Sequence, residues 1–269
     1  MKKILLSSAA LIAFISTASA ADLAARPYTK APAMVEVGYN WTGLYIGGFV
    51  GGAGTDRNLS TSDPCLTGTV CGATGFYNGV GPAIYNLKSS VIGGGTIGYN
   101  WQSGQFVYGV EAEGGYMNLR GSSVFPGAPV GGDTVASTRI GDTYAMITGR
   151  LGIAFDRTLF YVKGGGVVTE VRTGVLDTCT VAPCGPGLVN TRTSNTRFDY
   201  TVGGGIEYAL SSNWSVKGEY MYLGLRRDTV GNGLSNGVTP VYSITSIPGV
   251  HMGKIGINYK FGGPVVARY

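Results

Sequence analysis

Taken two residues at a time, several stretches of this chain divide into an apolar face and a small or charged face. In FVYGVEAEGGYMN, Phe106, Tyr108, Val110, Ala112 and Tyr116 share one parity, while Val107, Gly109, Glu111, Glu113, Gly115 and Met117 share the other. RFDYTVGGGIEYAL sets Phe198, Tyr200, Val202, Ile206, Tyr208 and Leu210 against Asp199, Thr201, Gly203, Gly205 and Glu207. WSVKGEYMYL sets Trp214, Val216, Tyr220 and Tyr222 against Ser215, Lys217, Glu219 and Met221. A repeat of two belongs to the β-strand, whose side chains point alternately to opposite faces. The charges keep to one parity throughout. The pattern predicts eight strands, at 42–53, 88–102, 105–119, 142–155, 159–172, 197–210, 214–225 and 248–261. Their connections alternate between short turns (102–105, 156–158, 211–213) and long links (54–87, 120–141, 173–196, 226–247).

Composition decides which kind of sheet this is. Charged residues make up only 13% of the chain, against 46 glycines and 17 tyrosines. Few charges, many tyrosines and glycines, and no apolar run long enough for a transmembrane helix point to strands whose outer face meets lipid. A soluble sandwich also alternates. Aromatic clusters near the ends of the apolar faces, opposite faces mixing glycine with both signs of charge, favour a barrel instead. Backbone groups at a sheet edge cannot stay unpaired in lipid, so the sheet must close. The expected fold is all-β: an eight-stranded antiparallel up-and-down transmembrane β-barrel with short periplasmic turns and long extracellular loops, in the outer membrane of a Gram-negative bacterium.

Eight strands enclose a lumen only wide enough for side chains. The candidate lumen residues are Glu111, Glu113, Arg150, Lys163, Glu207, Lys217, Glu219, Lys254 and Lys260. Neighbouring strands offer opposite charges: Arg150 beside the Glu111/Glu113 strand, Lys163 beside the Glu207 strand, and Lys254 beside the Glu219 strand. Buried charges persist when paired and hydrogen-bonded, so a packed ion-pair plug is expected, with a conducting lumen as the alternative. Three glycine triplets, in SVIGGGTIGYNW, YVKGGGVVTEV and YTVGGGIEYAL, invite a phosphate-cradle reading. Such a cradle opens onto a helix. These triplets sit within strands, and Gly165, Gly203 and Gly205 share the lumen parity, where glycine permits close backbone approach and curvature.

The opening MKKILLSSAALIAFISTASA has the layout of a cleaved secretory signal over residues 1–20, with Lys2 and Lys3 before an apolar core and Ala18-Ser19-Ala20 at the cut. Residues 21–40 then form an Ala/Pro-rich periplasmic lead, and 41–269 the barrel. Removing the signal takes two lysines from the formal charge of +5, leaving +3, too mild to argue for nucleic acid. Cys65/Cys71 and Cys179/Cys184 form two close pairs in the long links. In an oxidising compartment two local disulfides are the natural reading of three connectivities, with a metal site as the alternative. Catalysis would need a base and a nucleophile held together. The one histidine, His251, lies on the lipid-facing parity, and no spacing ties Ser243 or Ser246 to it, so neither an enzyme nor a cofactor is expected. Arg172, Arg192, Arg226 and Arg227 lie in or near the long links and suit anionic lipid phosphates or plain solvation.

WTGLYIGGFVGG (41–52), VKGEYMYLGL (216–225) and GKIGINYKFGGPVVARY (253–269) resemble the first strand, the seventh strand and the ending of the small porin-like outer-membrane proteins of alphaproteobacteria. These are eight-stranded relatives of the opacity proteins and of the OmpA membrane domain. The resemblance implies recognition by the barrel-assembly machinery through Lys254, Gly256, Tyr259 and Phe261, although the chain continues past that final aromatic to Tyr269. It implies a structural envelope role and surface display, in contact with outer-membrane lipid and lipopolysaccharide. The alternatives are a small-solute porin and, as in some branches, haemin binding through loops bearing Tyr77, Tyr85, Tyr242 and His251, with Tyr242 and His251 as contacts. In some relatives a mature Ala-Asp start is attached to peptidoglycan. Ala21 and Asp22 would supply it here.

Overall fold

A computed structural model describes residues 39–62, 82–124, 135–177, 189–225, 228–235 and 239–262. The signal, the lead with Ala21 and Asp22, all four cysteines, Tyr77, Arg226, Arg227 and the tail after Gly262 lie outside these residues, as does the side chain of Tyr242. Among these residues twelve strands are present: β1 (Gly43–Thr55), β2 (Leu59–Ser62), β3 (Ala83–Tyr85), β4 (Ser90–Ser103), β5 (Phe106–Val124), β6 (Val135–Phe155), β7 (Thr158–Asp177), β8 (Val189–Ala209), β9 (Trp214–Gly224), β10 (Asp228–Ser235), β11 (Thr239–Ser246) and β12 (Val250–Lys260).

Eight of them close a ring in the order β1-β4-β5-β6-β7-β8-β9-β12, every neighbour antiparallel. The seam is the β1–β12 ladder, from Tyr45↔Lys260 to Thr55↔Val250. No row of backbone donors and acceptors in this ring is left facing lipid, as a bilayer demands. The short turns at one end use positive φ at Gly104 (60°) and Asp156 (51°). That end also holds Trp41 and Phe261, and by the usual asymmetry of such barrels it faces the periplasm.

The expected parity holds. Val110, Ile147, Val162, Val202 and Ile255 are exposed outward, while Glu111, Arg150, Lys163, Thr201 and Lys254 are buried inside. The rim aromatics pack on one another, with Trp101 stacked on Tyr108 at 5.7 Å between centroids and Trp214 meeting Tyr259 edge-on at 5.0 Å. Glycines make the tight wall possible. A Cβ at Gly165 would stand 2.0 Å from the Ile147 carbonyl oxygen, and one at Gly203 would stand 2.1 Å from that of Tyr220.

The long links differ from expectation. β5, β6, β7 and β8 have 19, 21, 20 and 21 residues, whereas a tilted strand crosses a bilayer in about 9–11. Their outer halves continue as sheet. β8 pairs with β10, β10 with β11, β11 with β2 and β2 with β3. Lys88 then bridges back to Arg120 of β5. Much of what reads as loop is a second storey of wall, because a strand leaving the membrane still has backbone groups to satisfy.

Candidate functional site

The lumen is the place where the sequence concentrates its chemistry. Alternation turns Glu111 and Glu113 of β5, Arg150 of β6, Lys163 of β7, Glu207 of β8, Lys217 and Glu219 of β9, and Lys254 of β12 inward, and all eight are buried. Four acids meet four bases, so the cluster is formally neutral. Their pairing differs from the neighbour-strand expectation. Arg150 pairs with Glu207, two strands away, rather than with Glu111 or Glu113. Lys163 reaches Glu111 and, at 3.0 Å, Glu219. Lys217 lies 3.3 Å from Glu111 and 3.6 Å from Glu219. Lys254 lies 3.3 Å from Glu219, as expected, but closer to Glu113, at 2.6 Å. In a lumen this narrow, side chains from tilted strands span the tube more easily than they fold back on the adjacent strand.

Lys260 is not in this network. It stands at the periplasmic rim, with its Nζ donating to the Asn40 carbonyl and lying 4.3 Å over the Tyr39 ring. Three tyrosines belong to the network although the sequence reading did not place them there. The hydroxyls of Tyr45, Tyr144 and Tyr161 donate to Glu111, Glu113 and Glu219 at 2.8, 3.0 and 2.8 Å. Glu207 instead accepts from Ser215 at 2.5 Å and Asn258 at 2.8 Å. Arg150 also lies flat on Tyr161, with Cζ 3.6 Å from the ring centroid. Tyr161 shares parity with Lys163, a signal that could have found it.

Oxygens of Glu111, Glu113 and Glu219 fall within 4.8 Å of one another, a spacing that could suit a cation. Lys163, Lys217 and Lys254 already supply three ammonium groups to them, so their charge is compensated by the protein itself.

Buried apolar side chains flank the charges on both sides, joined on the outer side by the buried polar Thr169, Asp199 and Thr201. Towards the outside, Glu113 and Glu219 give way along their strands to Met117 and Met221, Lys163 to Val167, and Lys254 to Met252, all fully buried. Towards the periplasm, Trp41, Val107, Leu159 and Ala209 pack together. In the outer storey a buried hydroxyl chain runs from Thr245 to Thr61 (3.0 Å), Tyr85 (3.0 Å) and Thr138 (2.7 Å). Burial pushes the Tyr85 phenol above its ordinary pKa. Tyr85 is therefore a wall residue turned inward rather than a loop tyrosine. His251 faces outward at the start of β12, on the outer side. Its Nδ1 hydrogen-bonds Tyr220 at 2.5 Å, and its Nε2 lies 3.8 Å from Asp56. Ser243 is buried. Tyr242 shares only its backbone position, opposite Asn232. Of the assembly-signal residues, Lys254 is in the lumen network, while Tyr259 and Phe261 meet edge-on at 5.1 Å at the rim.

Residues 7–261 match the family model described as "Outer membrane protein beta-barrel domain". The 31 kDa outer-membrane immunogenic protein of Brucella melitensis is 28% identical over 270 residues, covering 97% of this chain and 100% of that protein. The 22 kDa outer membrane protein of Rhizobium leguminosarum bv. viciae is 31% identical over 159 residues, which is 55% of this chain and 62% of that one. Among solved structures, the outer membrane protein OprG from Pseudomonas aeruginosa aligns with a TM-score of 0.50 at 15% identity, over 84% of this chain and 99% of that one. That likeness concerns the fold alone.

Proposed function

The chain belongs to the outer-membrane protein β-barrel domain family, and from that premise we propose that it is a structural protein of the outer membrane, a filled barrel that supports the envelope and displays its outer storey at the cell surface. One observation carries this reading. The lumen holds a neutral, hydrogen-bonded charge cluster with buried apolar side chains packed on both sides of it. A porin of this size would need a wet interior, and the methionine layer above the charges opposes one. Haemin binding loses support from Tyr85, which is buried. Immunogenic relatives in Brucella support surface display.

Single-channel recording on the purified chain in planar bilayers addresses the proposal directly. A filled barrel gives no steady open level, whereas stable steps in every preparation would favour the porin alternative. Three further elements of the proposal lie outside the described residues: the disulfides Cys65–Cys71 and Cys179–Cys184, export by a cleaved signal, and tethering to peptidoglycan through Ala21 and Asp22. Intact-mass and thiol titration of protein from whole envelopes read all three.

A further inference from the structure

Just beyond the lipid-facing band, on the outer side, three arginines stand side by side on neighbouring strands. Arg120 of β5 is in direct register with Arg139 of β6, and Arg139 with Arg172 of β7. Lys88 extends the row, bridged to Arg120 on its other side. Directly opposed residues share a face, and like charges so placed repel. The row therefore costs stability unless something anionic meets it.

The protein supplies part of that charge by an unusual route. The β6–β7 ladder shifts register between Ile140 and Tyr144. In that bulge Gly141 and Asp142 take φ of 107° and 85°, and the second is a conformation that a non-glycine residue rarely adopts. The bulge lifts the Asp142 carboxylate between Arg139, which it pairs with, and Arg172, 3.3 Å away. Glu170 accepts from Nε and Nη2 of Arg172 at 2.9 and 2.7 Å, and Asn118 accepts from Nε of Arg139 at 3.1 Å. Two guanidinium groups are thus oriented from one side. Among the described residues, neither Lys88 nor Arg120 has an acidic partner. Four cations against two acids leave the row with an excess of two positive charges.

Depth identifies what meets it. Arg120 lies four residues beyond the lipid-facing Tyr116, and Arg172 four beyond Val168. At about 3.3 Å per residue along a tilted strand, this is roughly 10 Å above those two side chains. Long arginine side chains reach back over such a distance to the headgroups. At that level the outer leaflet presents the phosphates of its glycolipid. Resting on the reading of a structural envelope barrel, we propose that Lys88, Arg120, Arg139 and Arg172 form a binding site for the phosphates of lipid A, held open by the Asp142 bulge. Bidentate guanidinium groups suit phosphate oxygens, and a site on the outer wall anchors the barrel to its leaflet rather than to a soluble ligand.

The decisive experiment measures binding of purified bisphosphorylated lipid A, phosphate-free lipid A and inorganic phosphate to the purified chain in detergent. The variants compared are Arg120→Ala/Arg139→Ala and, as a control away from the row, Arg157→Ala in a periplasmic turn. Each arginine near an anionic surface contributes roughly fivefold, so the double variant should bind bisphosphorylated lipid A about 25-fold more weakly. Arg157→Ala should bind as the unmodified chain does. Unchanged binding by the double variant, equal binding of phosphate-free lipid A, or an equal loss in Arg157→Ala would each overturn the site. Inorganic phosphate bound as tightly as the lipid would overturn the lipid assignment. Heat-dependent gel mobility monitors folding, and if the double variant lacks the folded band, Arg120→Gln, which breaks no ion pair, carries the same test. Channel recording on the same preparations reads the filled-barrel proposal separately, so either can fail without the other.

Discussion

Removing Arg150 should damage this barrel far more than removing Arg150 and Glu207 together. Arg150 is buried at 1% exposure, bonded to Glu207 and stacked on Tyr161. In Arg150→Met the apolar stem is largely kept, but Glu207 retains only Ser215 and Asn258, both neutral and both on Oε1. An uncompensated buried charge costs about 3–5 kcal/mol. Glu207→Gln strands the guanidinium instead, at a similar cost. In the double variant no net charge remains. The glutamine oxygen keeps the Ser215 and Asn258 donors, and at worst one amide N–H pair lacks a partner, a cost of about 1–3 kcal/mol. The singles together would cost about 6–10 kcal/mol, so the coupling should be several kcal/mol. Urea unfolding of the protein in lipid vesicles, followed by tryptophan fluorescence and by heat-dependent gel mobility, reads all four corners of this cycle. A double variant whose cost equals the sum of the singles would refute the reasoning, and so would a single that costs less than about 1 kcal/mol.

The remaining predictions concern the wall, the bilayer and the outer storey. Gly165→Ala should destabilise by about 1–3 kcal/mol, since the new methyl meets backbone. Gly114→Ala and Gly253→Ala, where a Cβ meets nothing within 4 Å, should be neutral or slightly stabilising in the same urea assay. Ile147→Lys, on the lipid face at 73% exposure, should cost about 2–4 kcal/mol, whereas Ser122→Lys in the outer storey should cost under ~1 kcal/mol. Equal costs would misplace the membrane band. Hydrogen bonds from Arg172 and Ser194 hold the Glu170 carboxyl below its ordinary pKa. Its contribution is therefore complete above the usual carboxylate range and is lost as pH falls through the lowered value. Amide exchange in the outer halves of β7 and β8 should quicken at acid pH, and Glu170→Gln should abolish that dependence. A variant that keeps the full dependence would remove Glu170 as its cause.

The parts of this molecule set by single-strand physics were legible in the sequence. Lipid tolerates no charge on the outer face, so every charge in FVYGVEAEGG and WSVKGEYMYL marks the inner one, and the lumen set from Glu111 to Lys254 follows from parity alone. Partnership was not legible, because it depends on tilt and stagger. No local pattern tells Arg150 to cross to Glu207 while Lys254 crosses to Glu113. The outer storey was hidden for a different reason. Above the membrane the outward positions turn polar, so in β7 the Val171, Thr173, Val175 set alternates against Arg172 and Gly174, and the contrast that marks a transmembrane strand fades. Inward tyrosines were masked by the frequency of tyrosine at membrane interfaces, although Tyr45 and Tyr161 sit on the parity of Gly47 and Lys163.

The crossing of the pairs has a consequence for assembly that neighbour-strand pairing would not have. Arg150 on β6 needs Glu207 on β8, Lys163 on β7 needs both Glu111 on β5 and Glu219 on β9, and Lys254 on β12 needs Glu113 on β5. A hairpin such as β5–β6 brings none of these pairs together, and even a run from β5 to β9 leaves Glu113 without its lysine. An open sheet in the bilayer would therefore carry unpaired charges as well as unpaired edges, two costs that vanish only when β12 reaches β1. Charge compensation and edge closure are completed by the same step, so partly closed forms are penalised twice. The methionines and valines next to the charges add to this, because they meet across the lumen only once the ring is closed. On this argument the ion pairs do more than fill space. They tie closure of the eight-stranded ring to giving each of the four lumen glutamates its cation.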